Sequence, residues 1–336
     1  MSYIPVNVKF RQRVSTWLLL AGALLLGISP AIEAAKKART YPNVPLVNQD
    51  GETLHFYDDV LKGKVVTINF MFTSCGDACP LETAKLRDVQ ELLGDHVGKN
   101  VHMYSISIDP DRDTPEALKA YMEKFDVGPG WQFLTGKIED IDLIRKKLGM
   151  LNYGEEELSD HNINFIMGSD FTGRWVKRSP FDVPESLVAV LLGRRLQQSS
   201  LLASMEMPDY SKTAKLGASR PGEDMFQTRC MACHTIGHGD KSGPDLLNVV
   251  NNRERDWLAR WIKEPDVMLK EKDPLATALY ERYNKVMMPN LWLSDEEVSD
   301  LIDYIDAASK YISGAANQQI TDNSDKSDHS HHDHVH

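Results

Sequence analysis

The chain has four cysteines, in two pairs that suit different chemistry. Cys75 and Cys79 lie in Phe70-Met71-Phe72-Thr73-Ser74-Cys75-Gly76-Asp77-Ala78-Cys79-Pro80, between an apolar run and a helical pattern. Two thiols at this spacing can face one point, either as ligands for a soft metal or as a dithiol/disulfide couple. Cys230 and Cys233 lie in Cys230-Met231-Ala232-Cys233-His234, and Cys-x-x-Cys-His reads as covalent attachment of a c-type haem. A zinc knuckle or a second redox pair are the competing readings. Zinc needs four ligands, and no further cysteine is free to supply them.

The elements around the first pair set where it should sit. Val65 to Phe72 is apolar and β-branched enough for a strand buried on both faces, and Leu81 to Leu93 carries apolar residues at helical spacing. The thiols therefore belong at a strand-to-helix corner. Pro80 suits a first helical turn, where free amide groups favour a thiolate, so both sulfurs are expected to be reactive and near the surface. Upstream, Lys36 to Gly63 reads as an extended arm and a hairpin turning at Asp50-Gly51. Downstream, Val101 to Ile108 alternates as a strand, Thr114 can cap a helix whose first residue is Pro115, and Leu118, Tyr121, Met122 and Phe125 form its buried stripe. A short strand at Trp131 to Leu134, a helix at Ile138 to Leu148, a hairpin of Asn164 to Met167 with Arg174 to Lys177, and a helix from Val183 to Leu202 follow. Alternating strands and helices predict an α/β sheet whose functional loops gather at the strands' carboxyl ends, with the Cys75/Cys79 corner and the Asp109 loop on one edge. Asp109 itself reads as a turn residue rather than a group supporting the site.

Three separated motifs, in order, carry a resemblance: Thr73 to Pro80, Ser107-Ile108-Asp109-Pro110-Asp111-Arg112-Asp113-Thr114-Pro115, and Asp160-His161-Asn162. Together they resemble the SCO/SenC family of thioredoxin-fold copper proteins, over residues 40–203. The resemblance implies a thioredoxin-like α/β domain with copper, Cu(I) or Cu(II), held by Cys75, Cys79 and His161. Soft Cu(I) prefers thiolates and tolerates one imidazole, which suits this donor set. Where the family usually has Pro directly after the first cysteine, this chain has Gly76, which loosens the loop.

Residues 204–221 are rich in Ser, Lys, Pro and Gly and read as a linker. Residues 222–313 resemble a small, all-α class I cytochrome c: a short helix into the Cys-x-x-Cys-His motif, Gly243-Pro244-Asp245-Leu246, a helix around Trp257 to Ile262, Val286-Met287-Met288-Pro289, and a last helix from Glu296 to Tyr311 started by the capping box Ser294 to Glu297. By that resemblance Cys230 and Cys233 carry the thioethers of one haem c, His234 is the proximal iron ligand oriented by the Pro244 carbonyl, and Met288 is the distal ligand, with Met287 as the alternative. Such ligation leaves the iron no open position and suits electron transfer. Trp257 and Trp261, four apart on one helical face, read as core or haem-edge packing.

The chain's 336 residues allow two cores plus appendages, and its net charge of −11 argues against nucleic acid as a partner. Residues 1–35 have the layout of a signal peptide or retained membrane anchor: Lys9, Arg11 and Arg13, then an apolar stretch from Trp17 to Ile28, then small residues. The remainder is therefore expected outside the cytoplasm, in a periplasm or on the outer face of the membrane. Removing the segment takes three bases and one acid with it, and −11 becomes about −13. Residues 314–336 are polar, end in a broken histidine tract and are expected to be disordered. That tract either captures copper, nickel or zinc, is an expression artefact, or is inert.

The function expected from these features is copper delivery for assembly of the copper centre of cytochrome c oxidase. The oxidase subunit carrying that centre is the expected partner, a copper donor or thiol reductase a further one, and the fused haem domain passes electrons to or from the thiol site. The alternative is an extracytoplasmic thiol-disulfide oxidoreductase fed by the haem domain, with copper incidental.

Overall fold

The computed structural model describes residues 41–76, 78–151, 162–196 and 221–328. Residues 1–35, read above as a signal or anchor, nearly all of the stretch read as a linker, Asp77, His161 and the last eight residues lie outside them.

The amino-terminal unit is built on β3, Val65–Met71, all seven of whose residues are buried. It has β4 (Val101–Ser107) on one side, parallel and in register from Val65↔Val101 to Met71↔Ser107, and β6 (Phe165–Ser169) antiparallel on the other. Strands β1 (Pro45–Asn48), β2 (Thr53–His55), β5 (Trp131–Thr135) and β7 (Arg174–Arg178) complete a seven-stranded sheet of order β2-β1-β5-β4-β3-β6-β7. Helix α1 (Ala78–Leu93) links β3 to β4; α2 (Pro115–Lys124) and α3 (Ile138–Leu148) flank β5 in the chain, and α4 (Pro184–Leu196) follows β7. The order β4-β3-β6-β7, with the first pair parallel and the last two strands antiparallel, is the thioredoxin arrangement; β5 and the β1–β2 hairpin extend its β4 edge.

Local chemistry explains these boundaries. Thr114 Oγ1 accepts from the Ala117 N–H at 3.3 Å, and Pro115, which has no N–H to lose, opens α2. Gly149, at φ 69°, ends α3 in the left-handed conformation that a glycine takes without strain. One buried polar chain crosses the sheet: the Trp131 indole donates to Ser105 Oγ at 3.0 Å, and Ser105 Oγ donates to Asn69 Oδ1 at 2.7 Å.

The carboxy-terminal unit is helical. A turn at Glu223–Met225 runs into a wider π-type turn, Phe226–Cys230, and α5 (Arg255–Lys263), α6 (Pro265–Lys270), α7 (Pro274–Arg282) and α8 (Asp295–Asp328) follow. Phe226, Ile236, Leu258, Leu293, Val298, Leu301, Ile302 and Ile305 form its core. Helix α8 passes so near the start of the unit that a Cβ on Gly222, at φ 82°, would meet the Asp300 carbonyl at 2.3 Å. The capping box is reciprocal: the Glu297 N–H donates to Ser294 Oγ at 3.2 Å and the Ser294 N–H to Glu297 Oε2 at 2.8 Å.

Helix α8 runs to Asp328, past Gly314, where the segment expected to be disordered begins. After Gly314 come Ala315, Ala316 and other helix-compatible residues with no proline to break the ladder, and a single internal glycine costs only ~1 kcal/mol.

Gly168 pairs with Trp175 across β6 and β7, and a Cβ on it would fall 2.1 Å from the indole ring. Gly168→Ala should therefore destabilise the sheet domain by about 2 kcal/mol, read as a lower urea midpoint. An unchanged midpoint would show that the indole can swing away at no cost.

Candidate metal centres and the surface between them

The first cysteine pair sits where β3 gives way to α1. The Cys75 N–H donates to the Phe72 carbonyl at 3.2 Å, closing a turn. The loop is tied to the neighbouring strand by Asp113, which is completely buried. Its carboxylate accepts from the Thr73 N–H at 3.0 Å, from the Thr73 hydroxyl, and from Ser107 Oγ at 2.6 Å. Ser107 Oγ in turn accepts from the Asp109 N–H at 3.0 Å, so one carboxylate joins both loops at this edge of the sheet. Asp109 acts as a turn residue, its carbonyl accepting from the N–H groups of Arg112 and Asp113 at 3.1 and 2.9 Å. Sequence reasoning noticed Asp109 and missed Asp113, because an aspartate in a polar loop carries no periodicity to mark it as buried.

The expectation that both sulfurs lie near the surface is overturned. Cys79 is 0% exposed and Cys75 8%. Proline at the third position of α1 fits the first turn as anticipated, but α1 turns that end inward. Burial pushes the Cys79 thiol well above its ordinary range, and its hydrogen bond with Cys75 and the nearby Glu82 add to that; only the Phe72 backbone pulls the other way. The free amides at the helix start do not outweigh desolvation. One turn further on, Glu82 is completely buried. Asn69 Nδ2 donates to its Oε2 at 3.2 Å and Oε1 has no partner, so burial raises this carboxyl well above the carboxylate range.

Two soft donors in mutual contact, screened from water, fit copper(I) by type. Among the described residues no group of three His, Cys, Asp or Glu side chains converges on a metal position, and His161 lies outside those residues.

The second pair is shaped by a hydrogen-bonded loop. The Cys233 and His234 N–H groups donate to the Cys230 carbonyl at 3.0 and 2.9 Å, and the Gly243 N–H donates to the Cys233 carbonyl at 2.9 Å. His234 Nδ1 is 2.9 Å from the Pro244 carbonyl. A carbonyl only accepts, so Nδ1 carries the proton and Nε2 keeps a lone pair for a metal. Burial lowers the His234 pKa and so keeps the ring neutral, against the raising effect of that carbonyl. Gly243 allows this placement, since a Cβ there would stand 2.6 Å from His234 Cε1. Cys230, Cys233, His234, Trp257, Trp261, Met287 and Met288 all line one cavity of about 550 Å³. A large, mostly apolar cavity with thiols and an imidazole on one wall and thioethers among its lining fits a haem. The stacked indoles of Trp257 and Trp261, 5.8 Å apart, are part of that wall. Burial pushes the Cys230 thiol up to about 12 and also raises Cys233, unlike the low thiol pKa of redox-active Cys-x-x-Cys pairs.

The two sites share a surface. Leu81 and Ala84 of α1 pack with Ala232 of the Cys-x-x-Cys-His loop, and Cys233, Leu291 and Phe181 close around them. Lys241 Nζ bridges to both Asp88 oxygens at 3.2 Å and donates to the Met231 carbonyl at 3.0 Å. Burial pushes the Asp88 carboxyl up in spite of Lys241, so desolvation offsets much of what this pair contributes and its chief effect is on register. Gly76 faces Met287, whose Cγ is 4.0 Å from where a Cβ of residue 76 would stand.

The SCO1/SenC family model matches residues 33–184, and the cytochrome c family model matches residues 219–309. The SCO2-like protein of Rickettsia felis is 33% identical over 156 residues, which cover 44% of this chain and 73% of that protein. The chain belongs to the SCO1/SenC family. Another relative, the SCO2-like protein RC0895 of Rickettsia conorii, is 37% identical over 128 residues, and this chain spans 60% of its length and 38% of its own. A solved SCO1/SenC family lipoprotein from Bacillus anthracis is 32% identical, with 46% of this chain and 94% of that one covered and a TM-score of 0.41.

In this SCO1/SenC protein the residues that set the cysteine loop can be tested apart from the thiols. Asp113→Ala leaves the Ser107 hydroxyl and the Thr73 hydroxyl and N–H without their acceptor and should cost about 2–4 kcal/mol in unfolding free energy, with faster amide exchange at residues 73–76. The Glu82 carboxyl is raised, so the folded state holds its proton more tightly than the unfolded chain does. Its contribution is complete below about pH 4 and is lost as pH rises toward the folded value. Glu82→Gln keeps an acceptor for Asn69 and removes that loss, so its stability relative to wild type should grow from pH 5 to pH 8. A constant difference across that range would show that Glu82 does not titrate there.

Proposed function

We propose that the chain is a copper metallochaperone that serves assembly of the copper centre of cytochrome c oxidase outside the cytoplasm, with its fused haem domain as electron carrier. The observation that carries this reading is the juxtaposition of two buried, contacting thiols with a haem-attachment loop packed on the same helix. Cys75 and Cys79 would hold copper as thiolates, and His161, which precedes β6 in the sequence, would complete the set. Cys230 and Cys233 would hold the haem covalently, with His234 and Met288 as the residues that would ligate its iron. A haem held in this way supplies or accepts one electron at a time.

The chain's own residues account for the rest. Asp113 fixes the thiol loop, burial keeps both sulfurs from bulk water, and Leu81, Ala84 and Asp88 dock the haem loop against α1. One electron reduces Cu(II) to Cu(I), which suits a haem partner directly. Reducing a Cys75–Cys79 disulfide takes two electrons and two protons, hence two successive transfers. The alternative, a thiol-disulfide oxidoreductase, needs an attacking sulfur that a substrate disulfide can reach, and sulfurs that are 8% and 0% exposed disfavour it. A metal ion needs far less room.

Copper counted per chain, together with competition against a Cu(I) chelator, tests this reading. Wild type should hold about one copper, Cys75→Ser none, and His161→Ala should bind at least about tenfold more weakly. Copper retained by Cys75→Ser, or rapid turnover of a disulfide substrate by copper-free protein, would favour the oxidoreductase.

A further inference from the structure

We propose that Met287 is a copper ligand: its thioether, from the cytochrome unit, reaches the metal held by Cys75 and Cys79, and Met288 is left to the haem iron. The inference rests on the reading of Cys75 and Cys79 as a copper site and adds a donor to it.

Three observations lead there. Met287 and Met288 are consecutive and both line the haem cavity, yet an iron already bound by His234 has one axial position left. One thioether is surplus to the iron. Met287 is also the side chain that approaches the thiol loop, with its Cγ 4.0 Å from the point where a Cβ of Gly76 would stand, and Gly76 follows Cys75 directly. Its sulfur is one covalent bond beyond that Cγ, on an unbranched side chain whose torsions let it adapt. The third observation concerns chemistry and space. A thioether is a soft neutral donor of the kind Cu(I) accepts beside thiolates, and glycine leaves open the space that a proline ring at position 76 would take up.

The packing keeps the donor in reach. Val286, its neighbour, packs against the core of the amino-terminal unit, while Leu291 joins the cluster formed by Leu81, Ala84 and Ala232. The Met287–Met288 segment is therefore held between two anchors, and consecutive residues would ligate copper and iron. A solitary sheet domain has no counterpart to this third sulfur, so copper release to a partner would be coupled to separation of the two units.

The experiment uses the full-length chain with haem attached, loaded with Cu(I), as wild type, Met287→Leu and Met288→Leu. Leucine approximates methionine in volume, so packing is largely kept. Three readouts are taken: the number of sulfurs around copper by X-ray absorption, Cu(I) affinity by chelator competition, and the methionine-to-iron charge-transfer band of the oxidised haem. Met287→Leu should lose one sulfur from the copper shell and about tenfold in affinity while keeping the iron band; Met288→Leu should lose the band and keep the copper shell. An unchanged sulfur number in Met287→Leu, or loss of its iron band, would overturn the proposal and leave the two-cysteine site standing. Wild-type protein that takes up no copper would instead overturn the copper site itself, and the added donor with it.

Discussion

Desolvation of two sulfurs at the start of one helix is the constraint on which the rest of this molecule turns. Cys79, in the first turn of α1, is completely buried, and that burial outweighs the free amides that would otherwise favour a thiolate. A thiol in such surroundings gains little by ionising in water-like fashion and much by meeting a cation. Burial thus removes from the pair the exposed thiolate that disulfide exchange needs, and leaves two soft donors in contact.

The same helix carries the second constraint. It offers Leu81, Ala84 and Asp88 to the loop that holds Cys230, Cys233 and His234, so both cysteine pairs lie against a single element. Small side chains, Ala84 against Ala232, allow the backbones to come close, and the partly buried Asp88–Lys241 pair selects the register more than it adds stability. Position on α1 therefore links the chemistry of the thiol loop to that of the haem loop without any long-range rearrangement.

Much of this architecture was legible in the amino-acid order. The buried strand Val65–Met71, the Thr114 cap with Pro115 behind it, and the capping box at Ser294 and Glu297 all follow from patterns spanning a few residues, and each stands where those patterns place it. The depth of the thiols was misread, since helix-terminus chemistry argues for exposure and only the packing of α1 shows otherwise. Asp113 was passed over for the same kind of reason: its value lies in reaching Thr73, forty positions away, and nothing local announces that.

What the sequence by itself determined is the chemistry on offer: Cys-x-x-x-Cys and Cys-x-x-Cys-His are short, and ligands within one or two turns of backbone declare themselves through spacing. What only the tertiary structure decided is which of those groups are dry, which are fastened, and which meet. Asp88 and Lys241 are 153 positions apart, and Gly76 and Met287 more than two hundred. Encounters at such separations are set by how two hydrophobic cores pack, a property of the whole surface that no local pattern encodes.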